Sequence, residues 1–180
     1  MLYQEADKVK REAFEQTLSH YAPEQQVWID ECGLNRDLVR LYGRCARHER
    51  LYGEHSGKRL ASRVSLIAAY CQGLICAPFR FEGYTDTHVF NLWLEQCLLP
   101  ELKPNQVLIL DNATFHKSAK TQQLIASANC HLLFLPPYSP DLNKIEAQWA
   151  NLKQGVRANQ DKLLTLQQKL DLQLVKMSER

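Results

Sequence analysis

Glycine and proline are scarce, with seven of each in 180 residues, which excludes collagen-like, mucin-like and broadly disordered chains. Long apolar runs are missing too: VSLIAAYC, VLIL and HLLFL fall far short of the roughly 20 residues that span a bilayer. The N-terminal stretch MLYQEADKVKREAFEQTL is charged and carries no apolar core of a secretory signal. A cytoplasmic protein with no membrane association is the expectation. The six cysteines (Cys32, Cys45, Cys71, Cys76, Cys97 and Cys130) never stand at CxxC spacing, and no histidine cluster accompanies them. A structural zinc site is therefore not expected, and the thiols read as small buried hydrophobes. A dominant charge is also lacking, since the net charge is only +2.

That near-neutrality hides a local asymmetry. Between Arg36 and Arg63 stand Arg36, Arg40, Arg44, Arg47, Arg50, Lys58, Arg59 and Arg63, opposed only by Asp37, Glu49 and Glu54. A basic segment on a near-neutral chain suggests a local contact with a polyanion, and a solvated hairpin accounts for the charge equally well.

With 45% hydrophobic residues, the chain can bury one domain's core. Residues 4–20 read as a charged helix ending before Pro23, and VWIDEC (27–32) as a short strand. Four glycines punctuate Gly33 to Lys58, which reads as a hairpin or long turn. Strands Arg63–Cys71 and Leu74–Phe81 follow, joined by a tight turn at Gln72-Gly73. A helix over Thr85–Leu99 is capped by Thr85 or Asp86 and closed by Pro100. The chain then alternates: strand Val107–Asp111, helix Lys117–Ala128, strand His131–Leu135, the loop PPYSPDLN and helix Leu142–Arg157.

A last helix near 160–177 spaces Leu163, Leu166, Leu170, Leu174 and Met177 by three and four. Its apolar seam packs on the core or on a second subunit, which leaves a homodimer open. The expected division is a linker helix over 1–22, a catalytic domain over 23–158 and a C-terminal helix over 159–180. A three-strand meander followed by alternating helices and strands gives an α/β fold, a mixed sheet flanked by helices. Ribonuclease-H-like cores have this order, and other α/β folds fit the string as well.

Three acidic residues fall where sheet proteins place chemistry. Asp30 ends the first strand, Asp111 closes VLILD, and Glu146 sits early in the helix after PPYSPDLN. Converging carboxylates repel one another, and hard divalent cations relieve that repulsion. Each residue taken alone is explained as well by a turn, a cap or a solvated charge.

VWIDECG, LILDNATFHKS and LPPYSPDLNKIEAQWANLK together resemble the three catalytic blocks of DDE transposases of bacterial insertion sequences, in the mariner-related branch. The 34 residues between Asp111 and Glu146 match the spacing of that branch. The resemblance covers roughly residues 20–157. It implies a ribonuclease-H-like fold with Asp30, Asp111 and Glu146 as catalytic, metal-binding residues. It also implies two magnesium or manganese ions, cleavage of double-stranded DNA at element ends, and transfer of the freed 3′-hydroxyl to target DNA. A nuclease of the same fold, or an idle remnant that binds DNA, remains the alternative.

Two departures stand out. Lys144 occupies the place where the family usually has proline. Relatives also carry helix-turn-helix domains ahead of this core, whereas about 25 residues precede the first strand here. An upstream-encoded DNA-binding half is therefore an expected partner.

Supporting roles follow from position. Asn112 can orient Asp111 or a water, and His116 can reach a phosphate or the active-site water; a turn residue and a structural histidine are the plain alternatives. Pro136, Pro137 and Pro140 stiffen the approach to Glu146. Ile145, Trp149, Leu152 and Val156 form an apolar helix stripe, with Asn143, Glu146, Ala150, Lys153 and Arg157 beside it. Candidate DNA contacts are Arg36, Arg40, Arg44, Lys58, Arg59, Tyr138, Lys153 and Arg157.

Overall fold

The structure, a computed structural model, describes residues 7–35, 46–48, 63–159, 161 and 163–179. Its strands are β1 (Gln26–Asn35), β2 (Arg63–Cys71), β3 (Leu74–Glu82), β4 (Val107–Leu110) and β5 (His131–Phe134). They form one sheet in the order β3-β2-β1-β4-β5. The β1–β2 and β2–β3 pairs are antiparallel; β1–β4 and β4–β5 are parallel. The meander followed by alternating elements is as the sequence pattern predicts.

Turn chemistry explains the meander. Gln72 and Gly73 both adopt positive φ (52° and 87°), the geometry that matches the twist of a two-residue hairpin. The β2–β3 register shifts between Ile67 and Ala69, opposite Ala77, which itself has φ 47°. This bulge turns the Ala77 carbonyl to the Trp93 indole N–H, 2.8 Å away and buried, so the irregularity leaves that carbonyl satisfied.

Helices α1 (Lys8–Leu18), α2 (Thr87–Trp93), α3 (Ala119–Ser127), α4 (Ile145–Ala158) and α5 (Leu166–Ser178) cover both faces. Alternation along the strands sorts side chains between two cores. Trp28, Cys32, Leu34, Val107 and Ile109 meet Phe14 of α1, the Ile145, Trp149, Leu152 and Val156 stripe of α4, and Leu170 and Leu174 of α5. Val27, Ile29, Leu108 and Leu110 meet Phe90 and Trp93 of α2 and Ile125 of α3. Strand β4 is buried on both faces, as a parallel strand between helix layers must be.

Asp86 caps α2 by accepting the Val89 N–H at 2.8 Å, but the expected single helix to Leu99 is interrupted. It widens into a π turn over Leu94–Leu98 and tightens into a 3₁₀ turn at Leu99–Glu101, where Pro100 ends regular hydrogen bonding.

Other expectations are corrected. Strand β1 does not end at Asp30: the antiparallel ladder with β2 continues to Asn35, and only the parallel ladder with β4 stops, at Trp28–Ile109. Most of the predicted Gly33–Lys58 hairpin lies outside the described residues, and Gly33 itself still pairs in β1 with Ser65. Leu163 lies before α5 and is 92% exposed, whereas Leu166, Leu170, Leu174 and Met177 pack on the chain's own core. Cys32 and Cys130 are buried free thiols, while Cys71, Cys76 and Cys97 are only half-buried. Among the described residues no helix is long and apolar enough to cross a membrane.

Two ties hold the loop that leads into α4. Arg11 of α1 donates through both terminal nitrogens to Asp141, at 3.0 and 2.6 Å. Lys144 donates to the Gln26 side chain at 3.0 Å and stands 5.0 Å from the Trp28 ring centroid, a cation–π distance. The backbone at Lys144 (φ −62°) is the one proline would impose, and Asn143 before it (φ −84°, ψ 104°) has the extended form that precedes proline. Lys144→Pro should therefore fold, changing stability by no more than about 1 kcal/mol as preorganisation offsets the lost tether. Urea denaturation measures this; a loss above about 3 kcal/mol would show a backbone conflict not seen here.

Candidate active site

Register brings the first two carboxylates level. Gln26, Val27 and Trp28 pair with Val107, Leu108 and Ile109, so continuing the count sets Asp30 beside Asp111, just past β4. The two stand where the parallel ladder opens, the place where α/β sheets form a crevice. Alternation then separates Asp30 from its neighbour Glu31. Asp30 accepts the Trp149 indole N–H of α4 at 3.2 Å and the Glu31 backbone N–H at 2.9 Å. Glu31 turns to the opposite face.

On that face His116 joins two carboxylates. Its Nδ1 lies 2.7 Å from Asp111 Oδ1 and its Nε2 lies 3.0 Å from Glu31 Oε1. Two ionised carboxylates accept only, so each ring nitrogen must carry a proton, which makes the ring an imidazolium. Burial opposes that charge, yet the hydrogen bonds from His116 to Asp111 and Glu31 and their negative charges lift its pKa to about 9. The ring is fully buried beside Phe90 and Phe115, with centroids 4.5 and 4.3 Å away. His116 therefore cannot touch a phosphate, as one expectation had it; it stands behind Asp111. For Asp111, burial favours the neutral acid, but the bonds from His116 and the Ala113 N–H outweigh it and hold the carboxyl below its ordinary value.

Asn112 does not orient Asp111. Its side-chain amide donates to the Leu135 carbonyl, tying the end of β4 to the end of β5. Beyond β5, Pro136 and Pro137 lead to Tyr138, which is 60% exposed with φ 54°. Pro140 opens a 3₁₀ turn, and the chain enters α4 with Glu146 in its first turn.

Asp30, Asp111 and Glu146 line one open cavity of about 390 Å³, together with Asn112, Tyr138 and Asn143. Burial, then repulsion from Glu31, Glu146 and Asp111, pushes Asp30 up to about 7. Among the described residues, no three His, Cys, Asp or Glu side chains are gathered tightly enough to hold a metal ion as they stand.

The remaining candidates divide. Lys153 is half-buried on α4 and reaches the Cys32 thiol, where burial raises the thiol's pKa and Lys153 acts against that rise. Arg157 is exposed one turn further along. Arg36, Arg40, Arg44, Lys58 and Arg59 lie outside the described residues.

Three contributors escaped the sequence reading in part. Nothing near Glu31 in the sequence marks its partner, His116, which lies 85 positions away. Trp149 was read as core alone, although its place three residues after Glu146 puts its indole near the same edge. Asn143 carried no role, and nothing in its spacing reveals that its side chain is buried.

The raised Asp30 pKa has a sign that can be tested. An acid whose folded pKa exceeds its unfolded value loses folded-state stability as pH rises from about 4 through about 7. Asp30→Asn keeps an acceptor for Trp149 without the charge. In metal-free buffer it should be the more stable protein above pH 7, by up to roughly 4 kcal/mol, and match the parent below pH 4. Thermal melts across pH check this, and parallel curves at every pH would contradict it.

Comparison with known proteins extends this geometry. Residues 25–167 match the family described as DDE superfamily endonuclease. No curated protein matches. Among solved structures, the Mos1 transposase paired-end complex with the left transposon end is 14% identical, with a TM-score of 0.72 over 97% of this chain and 57% of that one. The catalytic domain of Mos1 mariner transposase is 15% identical, with a TM-score of 0.58 over 89% of this chain and 75% of that one. The catalytic core domain of BIV integrase is also 15% identical, with a TM-score of 0.52 over 87% and 85%. The sheet and its flanking helices are thus the ribonuclease-H-like fold of these cores, and the chain spans little more than half of the paired-end Mos1 transposase. The family match takes in Asp30, Asp111 and Glu146 and most of the sequence, and the chain belongs to the DDE superfamily of endonucleases.

Proposed function

We propose that this chain is the catalytic core of a mariner-related transposase, cutting DNA at element ends and joining the freed 3′-hydroxyl to target DNA. The observation that carries the reading is one cavity lined by carboxylates from β1, the end of β4 and the start of α4. Mos1 paired-end complexes with manganese and with magnesium support it, as does a Mos1 strand transfer complex.

The cavity's charge argues for cations. Carboxylates alone would repel a phosphodiester, and the Asp30 pKa of about 7 records how poorly their charge is met by the protein. The donors are all hard oxygens, which fits magnesium or manganese, and Asp30, Asp111 and Glu146 are the residues that would hold two such ions. When bound, the ions supply Lewis acidity at the phosphate and neutralise charge on the attacking and departing oxygens.

The protein's own residues then have separable tasks. His116 fixes one oxygen of Asp111, Trp149 fixes one of Asp30, and α4 sets Glu146 opposite them. Hydrolysis replaces a phosphodiester with a 3′-hydroxyl and a 5′-phosphate. In strand transfer that hydroxyl attacks a target phosphodiester and expels a target 3′-hydroxyl, so bonds are exchanged and no energy source is required. Lys153, Arg157 and the Arg36–Arg63 segment are the phosphate contacts in this reading. Sequence-specific reading of element ends is assigned to a separate DNA-binding half.

Single-turnover cleavage of an element-end duplex in manganese tests the assignment. Asp30→Asn, Asp111→Asn and Glu146→Gln should each lose at least about a thousandfold. Glu31→Gln should lose no more than about tenfold, because an amide oxygen still accepts from His116. Cleavage without strand transfer into a plasmid would make the protein a nuclease. Absence of any metal-dependent cleavage would reduce it to a DNA-binding module, and full activity in Asp30→Asn would displace the site.

A further inference from the structure

Asn143 presents an anomaly at the mouth of α4. Its side chain is only 5% exposed, and Oδ1 is the one buried side-chain oxygen or nitrogen among the described residues without a hydrogen-bond partner. Such an orphan acceptor costs about 1–3 kcal/mol, so native proteins keep one where something else completes it. The oxygen belongs to a residue lining the same cavity as Asp30, Asp111 and Glu146. Its main-chain carbonyl accepts the Glu146 N–H at 3.1 Å, which locks Asn143 to the first turn of the helix bearing the third carboxylate.

The chemistry of the missing partner is constrained. An amide oxygen offers lone pairs and no proton, so it cannot serve phosphate oxygens, which only accept. It suits a hard cation or the water around one. It also adds no negative charge to a cavity already lined by three carboxylates. We infer that Asn143 supplies a neutral oxygen donor to the divalent-cation site, beside the three carboxylates. The inference rests on the metal-dependent reading above and adds a residue to it.

Manganese binding tests it without catalysis. The full chain and its Asn143→Leu and Asn143→Asp variants are titrated with manganese, free ion being followed by electron paramagnetic resonance. Melting temperature is measured with and without the metal. Asn143→Leu should bind manganese about tenfold more weakly. Its metal-free melting temperature should equal or exceed that of the parent, because the orphan oxygen is gone while volume is nearly conserved. Asn143→Asp restores an oxygen and should bind at least as tightly as the parent. Unchanged manganese affinity in Asn143→Leu would overturn this inference alone, assigning the oxygen to an ordinary buried water. A metal-free Asn143→Leu protein melting well below the parent would also overturn it, in favour of a structural role. Absence of manganese binding in the parent would remove the metal reading and this inference together.

Discussion

The bridge from Glu31 through His116 to Asp111 is the constraint around which this edge of the sheet is organised. Four acidic side chains, Asp30, Glu31, Asp111 and Glu146, converge where β1 and β4 part. Left to themselves they would repel one another and protonate. One buried imidazolium answers two of them on the α2 face, at 2.7 and 3.0 Å, within a wall of Phe90 and Phe115. The low dielectric of that wall strengthens the pairing and also makes loss of either partner costly.

The alternation of β1 divides the remaining charge. Glu31 faces the imidazolium, and Asp30 faces α4, where a single indole N–H is a neutral donor and cannot cancel a negative charge. The result is an asymmetric pair of aspartates. Asp111 sits below its ordinary pKa because His116 holds it, and Asp30 sits near 7 because burial and three other carboxylates oppose its ionisation. The unmet charge lies on the cavity side, where the proposed cations would bind. This arrangement confines the unmet charge to the opening of the parallel ladder and keeps it out of both hydrophobic cores.

Much of this was legible in the sequence because its signals are local. Period-two alternation in VWIDEC puts Asp30 and Glu31 on opposite faces, the Gln72-Gly73 turn sets the β2–β3 hairpin, and the Ile145–Val156 stripe aims α4 at the sheet. What escaped depends on contacts distant along the chain. The true end of β1 is hidden because sequence cannot show that the β2 ladder, which runs to Asn35, outlasts the β4 ladder, which stops at Trp28. The burial of His116 is likewise hidden, because it follows from the packing of Phe90, 26 positions earlier in the numbering. Leu163 kept the heptad-like spacing of its neighbours yet lies outside α5, where the Thr165 side chain starts the helix by accepting the Gln168 N–H at 3.2 Å. Lys144 shows the reverse: a departure from the family pattern that leaves the backbone proline-compatible and adds a tether to Gln26.

The protonation state of His116 is the most direct measure of the central claim. Nitrogen-15 chemical shifts of its imidazole, followed from pH 5 to 10 in metal-free protein, report both ring nitrogens separately. A histidine with folded pKa near 9 contributes stability that is complete below its unfolded value and is lost only as pH rises through about 9. Both nitrogens should therefore remain protonated at pH 8, and the Glu31→Gln variant should bring the titration down. A neutral single tautomer at pH 7.5 in the parent protein would contradict the bridge and with it the charge balance proposed for the site.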